Sequence, residues 1–398
     1  MSDKPENHIM IFIFRRMKIP EDSKRSYKET IRFKKRFKEN QKLKGLQRRK
    51  KMSVITFVCA GQMNSAITFP AFENGHEVRL VGSPLDRDII DGLRKDDFHI
   101  TLKRTLHHGI KYYQIEELEE ALQGADLVLG GVSSFGLDWF CDEILPVLSE
   151  DVPLLTVTKG MVDLEDGTLV PYPTIFAERQ PEGKNLNLNA IGGPCTSYEL
   201  ADHDDSHVAF CGKDMETLKY IKSLLATDYY HISLSTDVVG VECAVAMKNA
   251  YALGVTLAVG LAEKRDGKIG AVHYNSQAAL FGQGLKEMIQ LLELIGGGPE
   301  NIVHGGGDLF VTVFGGRTRK IGTLLGRGLS FDEAMEELNG VTLESIVIAT
   351  RTARAVRKLA ERGVVKLSDY PLLMHVDEII NQGAAVNIPW DAFTTVVE

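Results

Sequence analysis

Five cysteines (Cys59, Cys141, Cys195, Cys211 and Cys243) are scattered through 398 residues, with no CxxC pair and no histidine-rich ligand spacing near them. That absence argues against a disulfide framework and a structural zinc site, and for free thiols in a reducing, cytoplasmic setting. Long hydrophobic runs are missing from the N-terminal region. Its one apolar piece, "IMIFIF", is too short for a signal-peptide core or a membrane span. The C-terminal half holds no repeats and no low-complexity segments. An acidic balance (net charge -8) makes the main body a poor nucleic-acid binder through its own surface.

That balance is uneven. Residues 1–51 carry 18 Lys+Arg against 6 Asp+Glu, and the remainder carries 28 against 48. The extension "RFKKRFKENQKLKGLQRRKKM" reads as a solvated basic arm, the one part that could contact nucleic acid or a membrane surface. Six acids among the bases disfavour an organelle-targeting role. Met52 opens "MSVITFV", so the arm reads as an addition to a domain starting there. A hydrophobic content of 44% allows two sizeable cores. The expected layout is the extension over 1–51, a dinucleotide-binding domain over 52–236 and a helical domain over 237–398.

"SVITFVCAG", "QMNSAITFPAFENG" and "HEVRLVG" read as strand, helix and strand, a right-handed βαβ unit. The turn after the first strand is where a phosphate-binding glycine fingerprint belongs, but glycine is scarce there too. Cys59, Gly61 and Asn64 fill its three glycine positions. Gly61 is the position at which a pyrophosphate must approach the backbone, with Gln62 and Met63 opening the helix beyond. The carboxylate usual at the second strand's end is also missing, since "RLVGSPLDRD" brings Asp86 and Arg87 late. Without an early acid a 2'-phosphate need not be rejected, so NADP stands beside NAD as the cofactor.

Further strands end at a loop bearing Phe135, at Lys159-Gly160 and at Gly192-Gly193-Pro194, where ligands bind in doubly wound sheets. The C-terminal half turns helical. "SFDE" places Ser330 and Glu333 as a capping box, and Gly305, Gly306 and Gly307 read as a backbone turn. In "GVECAVAMKNAYALGVTLAVG" the three- and four-apart neighbours of Lys248 are Ala244, Val245, Tyr251 and Ala252, all apolar or aromatic. A snorkelling lysine is one reading; a desolvated lysine with a lowered pKa, suited to moving a proton, is the other. Likewise Asp308 reads as a helix cap or a site acid, and Arg317 as a surface ion-pair residue or an anion fork.

Five motifs add up across some 345 residues: "VTKGM", "GVECAVAMKNAYALG", "GDLFVTVFGGRTRKIG", "GRGLSFDEAMEEL" and "GVTLESI". By their order and separation the chain resembles the NAD(P)-dependent glycerol-3-phosphate dehydrogenases. The resemblance implies an α/β fold, a Rossmann-type parallel-sheet domain followed by an all-α domain of the 6-phosphogluconate dehydrogenase C-terminal type. It implies interconversion of sn-glycerol 3-phosphate and dihydroxyacetone phosphate in glycerophospholipid metabolism, by a homodimer. Lys248 falls on the family's proton-accepting lysine and Asn249 on the asparagine beside it. Lys159 falls on the second active-site lysine, near cofactor and substrate, while Asp308 and Thr312 match the acid and threonine of the "GDL" segment. Arg317 matches the arginine meeting substrate phosphate and cofactor, and Phe135 an aromatic along the cofactor. Gly193, Cys195 and Ser197 lie on the turn that the family writes "SGPSFA". Departures are Thr318 where the family has asparagine, "GGPCTS" at that turn, and the depleted fingerprint. Two other classes fit the residues: a reductase of another small phosphorylated or β-hydroxy acid, and a non-catalytic dinucleotide sensor with a nucleic-acid-binding arm.

Overall fold

The computed structural model describes residues 52–339 and 343–394; the basic arm and residues 340–342 of "GVTLESI" lie outside the described residues. The β-branched run after Met52 forms β1 (Val54–Val58), which is buried on both faces, as parallel strands covered by helices must be. Along the chain follow β2 (Glu77–Val81), a short β3 (Phe98–His99) and β4 (Arg104–Thr105) hairpin, β5 (Lys111–Tyr113) and β6 (Leu127–Gly130). Then come β7 (Leu154–Thr156), a second hairpin of β8 (Met161–Asp163) and β9 (Leu169–Pro171), β10 (Leu188–Gly192), β11 (Ser206–Gly212) and β12 (Tyr230–Ser235). Eight strands form one sheet in the order β12-β11-β10-β7-β6-β1-β2-β5. All its pairings are parallel except β10 with β11. The carboxyl ends of β1, β6, β7 and β10 therefore open on one edge.

Beyond β12 the chain is helical. Asp237 caps the next helix: its Oδ1 accepts the Gly240 amide at 2.8 Å, and its Oδ2 accepts from the Gly298 amide and Asn301 Nδ2. The central helix Val238–Asp266 is apolar around nearly its whole circumference because other helices surround it. Among the described residues only this helix is long and apolar enough to cross a membrane, and 89% of that apolar window is buried inside the fold. "SFDE" does form the capping box, opening the helix Phe331–Glu337.

Small residues seat two helices on the central one at backbone distance. A Cβ at Gly326 would lie 2.2 Å from Leu257 O, and one at Gly260 2.1 Å from Thr323 O, so Gly316–Arg327 packs without intervening side chains. Gly305 does the same for the helix Ile302–Phe314, where a Cβ would meet Ala244 O at 2.6 Å. This corrects the expected turn at Gly305, Gly306 and Gly307. The three glycines lie inside a helix, and tertiary seating outweighs their poor helix propensity.

A buried carboxylate ties the periphery to this core. Glu287 accepts from Gln283 Nε2 at 2.8 Å and from the Leu372 and Leu373 amides at 2.8 and 3.0 Å, capping Pro371–Gln382 across the fold. Burial pushes its carboxyl up to about 7 against these donors. Glu287→Ala strands two buried amides and is expected to lower unfolding free energy by about 2–4 kcal/mol in urea titrations. An unchanged midpoint would remove this capping role.

The β8–β9 hairpin leaves the sheet and lies against the helix Glu344–Glu361. Arg354 forks onto the Asp163 carboxylate, Arg351 donates to Met161 O at 3.0 Å, and Lys358 Nζ donates to Leu164 O at 2.9 Å. The hairpin begins two residues after Lys159, so it fixes that lysine's strand end relative to the helices.

Candidate active site

At the end of β1 the chain turns sharply into the helix Gln62–Glu73. Gly61 is its N-cap with no side-chain cap, and no acid lies in the first turn, so the leading amides face outward without a competing carboxylate. This suits a dinucleotide pyrophosphate. The Met63 side chain packs on the sheet core, which leaves its amide as the part available to a ligand. Gln62 Nε2 donates to Thr101 O at 2.8 Å, and Ser197 Oγ reaches Gln62 Oε1 at 3.5 Å, joining this turn to the "GGPCTS" turn.

Lys159 stands just past β7. Gly160 follows because a Cβ there would lie 2.2 Å from the Tyr172 ring. Lys159 Nζ donates to Gly193 O at 2.9 Å and to Asp308 Oδ2. Lys248 Nζ, from the central helix, donates to the other oxygen, Asp308 Oδ1, at 2.7 Å. One carboxylate thus holds two lysines, one oxygen each. Asp308 sits mid-helix, six residues into Ile302–Phe314, which rules out the capping reading; Thr312 Oγ1 bonds back to Asp308 O one turn on.

The three charges settle unequally. Burial pushes the Asp308 carboxyl up, but the two lysines outweigh it and hold it below the usual range. Burial also opposes the charged form of Lys159, yet Asp308 outweighs it and leaves that lysine raised. Lys248 goes the other way: burial lowers it, Asp308 only partly restores it, and the Lys159 charge lowers it again. The carboxylate is thus shared by both lysines, while burial and the Lys159 charge turn Lys248 toward its neutral form. Behind them Glu242 is fully buried and pushed up to about 8, chiefly by burial.

Two clefts open beside the triad. One, of about 470 Å³, is lined by Lys248, Asp308, Thr312, Cys195 and Tyr198; the other, of about 460 Å³, by Ser133, Phe135, Asn249 and Glu344. Arg317 and Thr318 line both. Arg317 makes no ion pair or hydrogen bond among the described residues, and it sits at the uncapped N-terminus of Gly316–Arg327 with no acid in the first turn. A free guanidinium beside exposed helix amides fits an anion. Among the described residues no cluster of three or more His, Cys, Asp or Glu is placed to hold a metal ion.

Sequence reasoning assigned no role to Glu344, Tyr198, Phe310 or Phe314, which line these clefts. Glu344 stands in the singled-out "GVTLESI" and accepts from Ser134 Oγ at 3.2 Å. Phe310 and Phe314 meet edge to face with ring centroids 4.9 Å apart and stay exposed, a signal available only as an aromatic pair four apart on one helix.

Known proteins resemble the chain along most of its length. The family model described as NAD-dependent glycerol-3-phosphate dehydrogenase N-terminus matches residues 54–218, and its C-terminus counterpart matches residues 237–390. The chain is 30% identical over 337 residues to the NADP(+)-dependent glycerol-3-phosphate dehydrogenase of Archaeoglobus fulgidus, covering 84% of this chain and 96% of that protein. The glycerol-3-phosphate dehydrogenase (NAD(P)+) of Bacillus mycoides is 29% identical over 324 residues, covering 79% and 88%. The crystal structure of glycerol-3-phosphate dehydrogenase from Coxiella burnetii shares the fold, with a TM-score of 0.68 at 23% identity over 86% of this chain and 98% of that one. A parallel-sheet domain leading into a helical one, matched at both ends by these families, places the chain in the NAD-dependent glycerol-3-phosphate dehydrogenase family, as an oxidoreductase that acts on a CH–OH group with NAD or NADP.

Proposed function

We propose that the chain interconverts sn-glycerol 3-phosphate and dihydroxyacetone phosphate, with Lys248 moving the proton of the reacting hydroxyl. The observation that carries this is the Asp308 carboxylate shared by Lys159 and Lys248 in a cleft whose wall bears the free Arg317. Bound nicotinamide supplies the hydride acceptor in one direction and the donor in the other. The leading amides at Gly61, Gln62 and Met63 hold the pyrophosphate, while Phe135, Lys159, Ser197 and Arg317 face the rest of the cofactor. Arg317, Thr318 and Gly193 grip the substrate phosphate end; Asn249 and Thr312 orient the carbon bearing the hydroxyl. Lys248 takes the hydroxyl proton on oxidation and returns it to the developing alkoxide on reduction, and Asp308 keeps its Nζ in place throughout. The product would serve glycerophospholipid synthesis in the cytoplasm, from a homodimer.

Oxidation of NADH and of NADPH with dihydroxyacetone phosphate tests the reading directly. Turnover with that triose phosphate is expected; turnover only with another small phosphorylated or β-keto acid would overturn it. Arg317→Ala should raise KM for dihydroxyacetone phosphate about 10- to 100-fold with a smaller change in kcat, since it removes a fork that holds phosphate in ground and transition states alike. An unmoved KM removes Arg317 from the phosphate grip.

A further inference from the structure

The dinucleotide turn has kept one of three glycines, yet it holds the sharp bend those glycines usually permit. Cys59 adopts φ 76°, the left-handed region that side chains other than glycine seldom enter. Something must hold it there, and the surroundings show what does. Ala60 is pinned through both of its flanking peptide groups. Its N–H donates to Asp86 Oδ2 at 3.0 Å, and its carbonyl accepts from His99 Nε2 at 2.9 Å. Asp86 is fixed in turn, because the same oxygen accepts the Ser83 amide at 2.8 Å and the Ser83 hydroxyl at 2.7 Å. His99 is fully buried, and its Nδ1 accepts the Leu102 amide at 3.1 Å, which sets the tautomer with the proton on Nε2. Burial lowers the His99 pKa, in keeping with that neutral ring.

The third glycine position is handled differently. Asn64, 1% exposed, donates through Nδ2 to Val58 O at 2.9 Å and Cys59 O at 2.8 Å, tying the helix's first turn to the end of β1. Its bulk is admitted by a glycine on the neighbouring strand end: a Cβ at Gly131 would lie 2.4 Å from Asn64 Cβ. The room for Asn64 thus comes from a glycine just past β6, the strand paired with β1.

We propose that Asp86, His99 and Asn64 are positioning residues that hold the Cys59–Ala60–Gly61 turn in its cofactor-binding shape, replacing by side-chain bonds the conformational freedom of the two missing glycines. The inference rests on the reading that the cofactor binds at this turn. None of the three need touch the cofactor. They act through the peptide groups flanking Ala60 and the β1 end, lowering the cost of ordering the turn around the pyrophosphate.

His99→Phe keeps an aromatic ring while removing the donor to Ala60 and the acceptor of the Leu102 amide. It is expected to weaken NADH and NADPH binding about 10-fold or more, read by cofactor fluorescence, while kcat at saturating cofactor falls by no more than about threefold. Cys59→Gly introduced into His99→Phe should restore most of the affinity, because glycine takes the bend unaided. A residue with a merely structural role would not be rescued in that way. If His99→Phe does not fold, Asp86→Ala with and without Cys59→Gly carries the same comparison at a partly exposed position. Equal loss of affinity with and without Cys59→Gly overturns the proposal, as does wild-type affinity in both single variants. Failure of the native chain to bind either cofactor would instead overturn the reading on which the proposal rests.

Discussion

Lys248→Ala is expected to reduce dihydroxyacetone phosphate about 100- to 10,000-fold more slowly than the native chain, with the cofactor dissociation constant within a few-fold of native. The magnitude is that of general acid–base assistance, and the split between rate and binding follows from where the lysine sits. Lys248 lies in the cleft with Asp308 and Thr312, whereas the outward amides that suit a pyrophosphate belong to the turn after β1. Its pH signature is equally specific. On the proposed reading, oxidation of the alcohol needs Lys248 without its proton, and burial lowers its pKa from the ordinary 10.5, with Asp308 pulling upward and Lys159 downward. The oxidation rate of the native chain should therefore climb with pH through a value below 10.5, and the variant should lose that limb. A variant with native kcat, or one that loses only cofactor affinity, would remove Lys248 from the proton transfer.

The second large effect is on stability as well as rate. Asp308→Ala leaves two partly buried ammonium groups facing each other, and breaking a buried pair in this way costs about 3–5 kcal/mol at most. The deficit should be greatest near neutral pH. Without the carboxylate both lysines favour the uncharged form, so their folded pKa values drop below the unfolded one and the penalty fades as pH rises toward the ordinary 10.5. In the native chain the sign is opposite at the acid end. Asp308 is held below its ordinary 3.8, so its contribution is complete above that value and disappears as pH falls through the depressed one. Denaturant midpoints across pH for the native chain and the variant check both windows. Asp308→Asn keeps the volume and one acceptor, and should recover part of the stability while turnover stays low. Equal midpoints at neutral pH for native chain and Asp308→Ala would mean that the lysines find other partners.

Much of this architecture was legible because its signals are local. The strand at "SVITFV" announces itself by a short β-branched run, the helix around Lys248 by the length of its apolar stretch, and Ser330 with Glu333 by spacing. Lys248 stood out as a cation among apolar neighbours, and Lys159 as a cation at a buried strand's end. What escaped the sequence depends on partners far along the chain. His99 and Ala60 are 39 residues apart, and no local pattern says that a lone histidine will reach back to that carbonyl. Gly305, Gly306 and Gly307 read as a turn because glycine usually breaks helices. The neighbours they make room for, the Ala244 backbone at Gly305 and the Leu285 and Pro194 side chains at Gly306 and Gly307, are in place only once the helices are packed. Asp86 comes too late in the sequence to stand as the usual ribose acid, and it folds back to the Ala60 amide, a contact set by the loop after β2 and invisible in spacing.

The hairpin after Lys159 has a mechanical consequence. Arg351, Arg354 and Lys358 lash it to the helix Glu344–Glu361, and Lys159 itself grips Asp308. Sheet and helices are thus tied at two places, through this hairpin and through the Lys159–Asp308 pair. On the proposed reading these ties would hold Lys159 and Lys248 at a fixed spacing, and entry of a dinucleotide would draw on the cleft lips, the loop bearing Phe135 and the exposed pair Phe310 and Phe314.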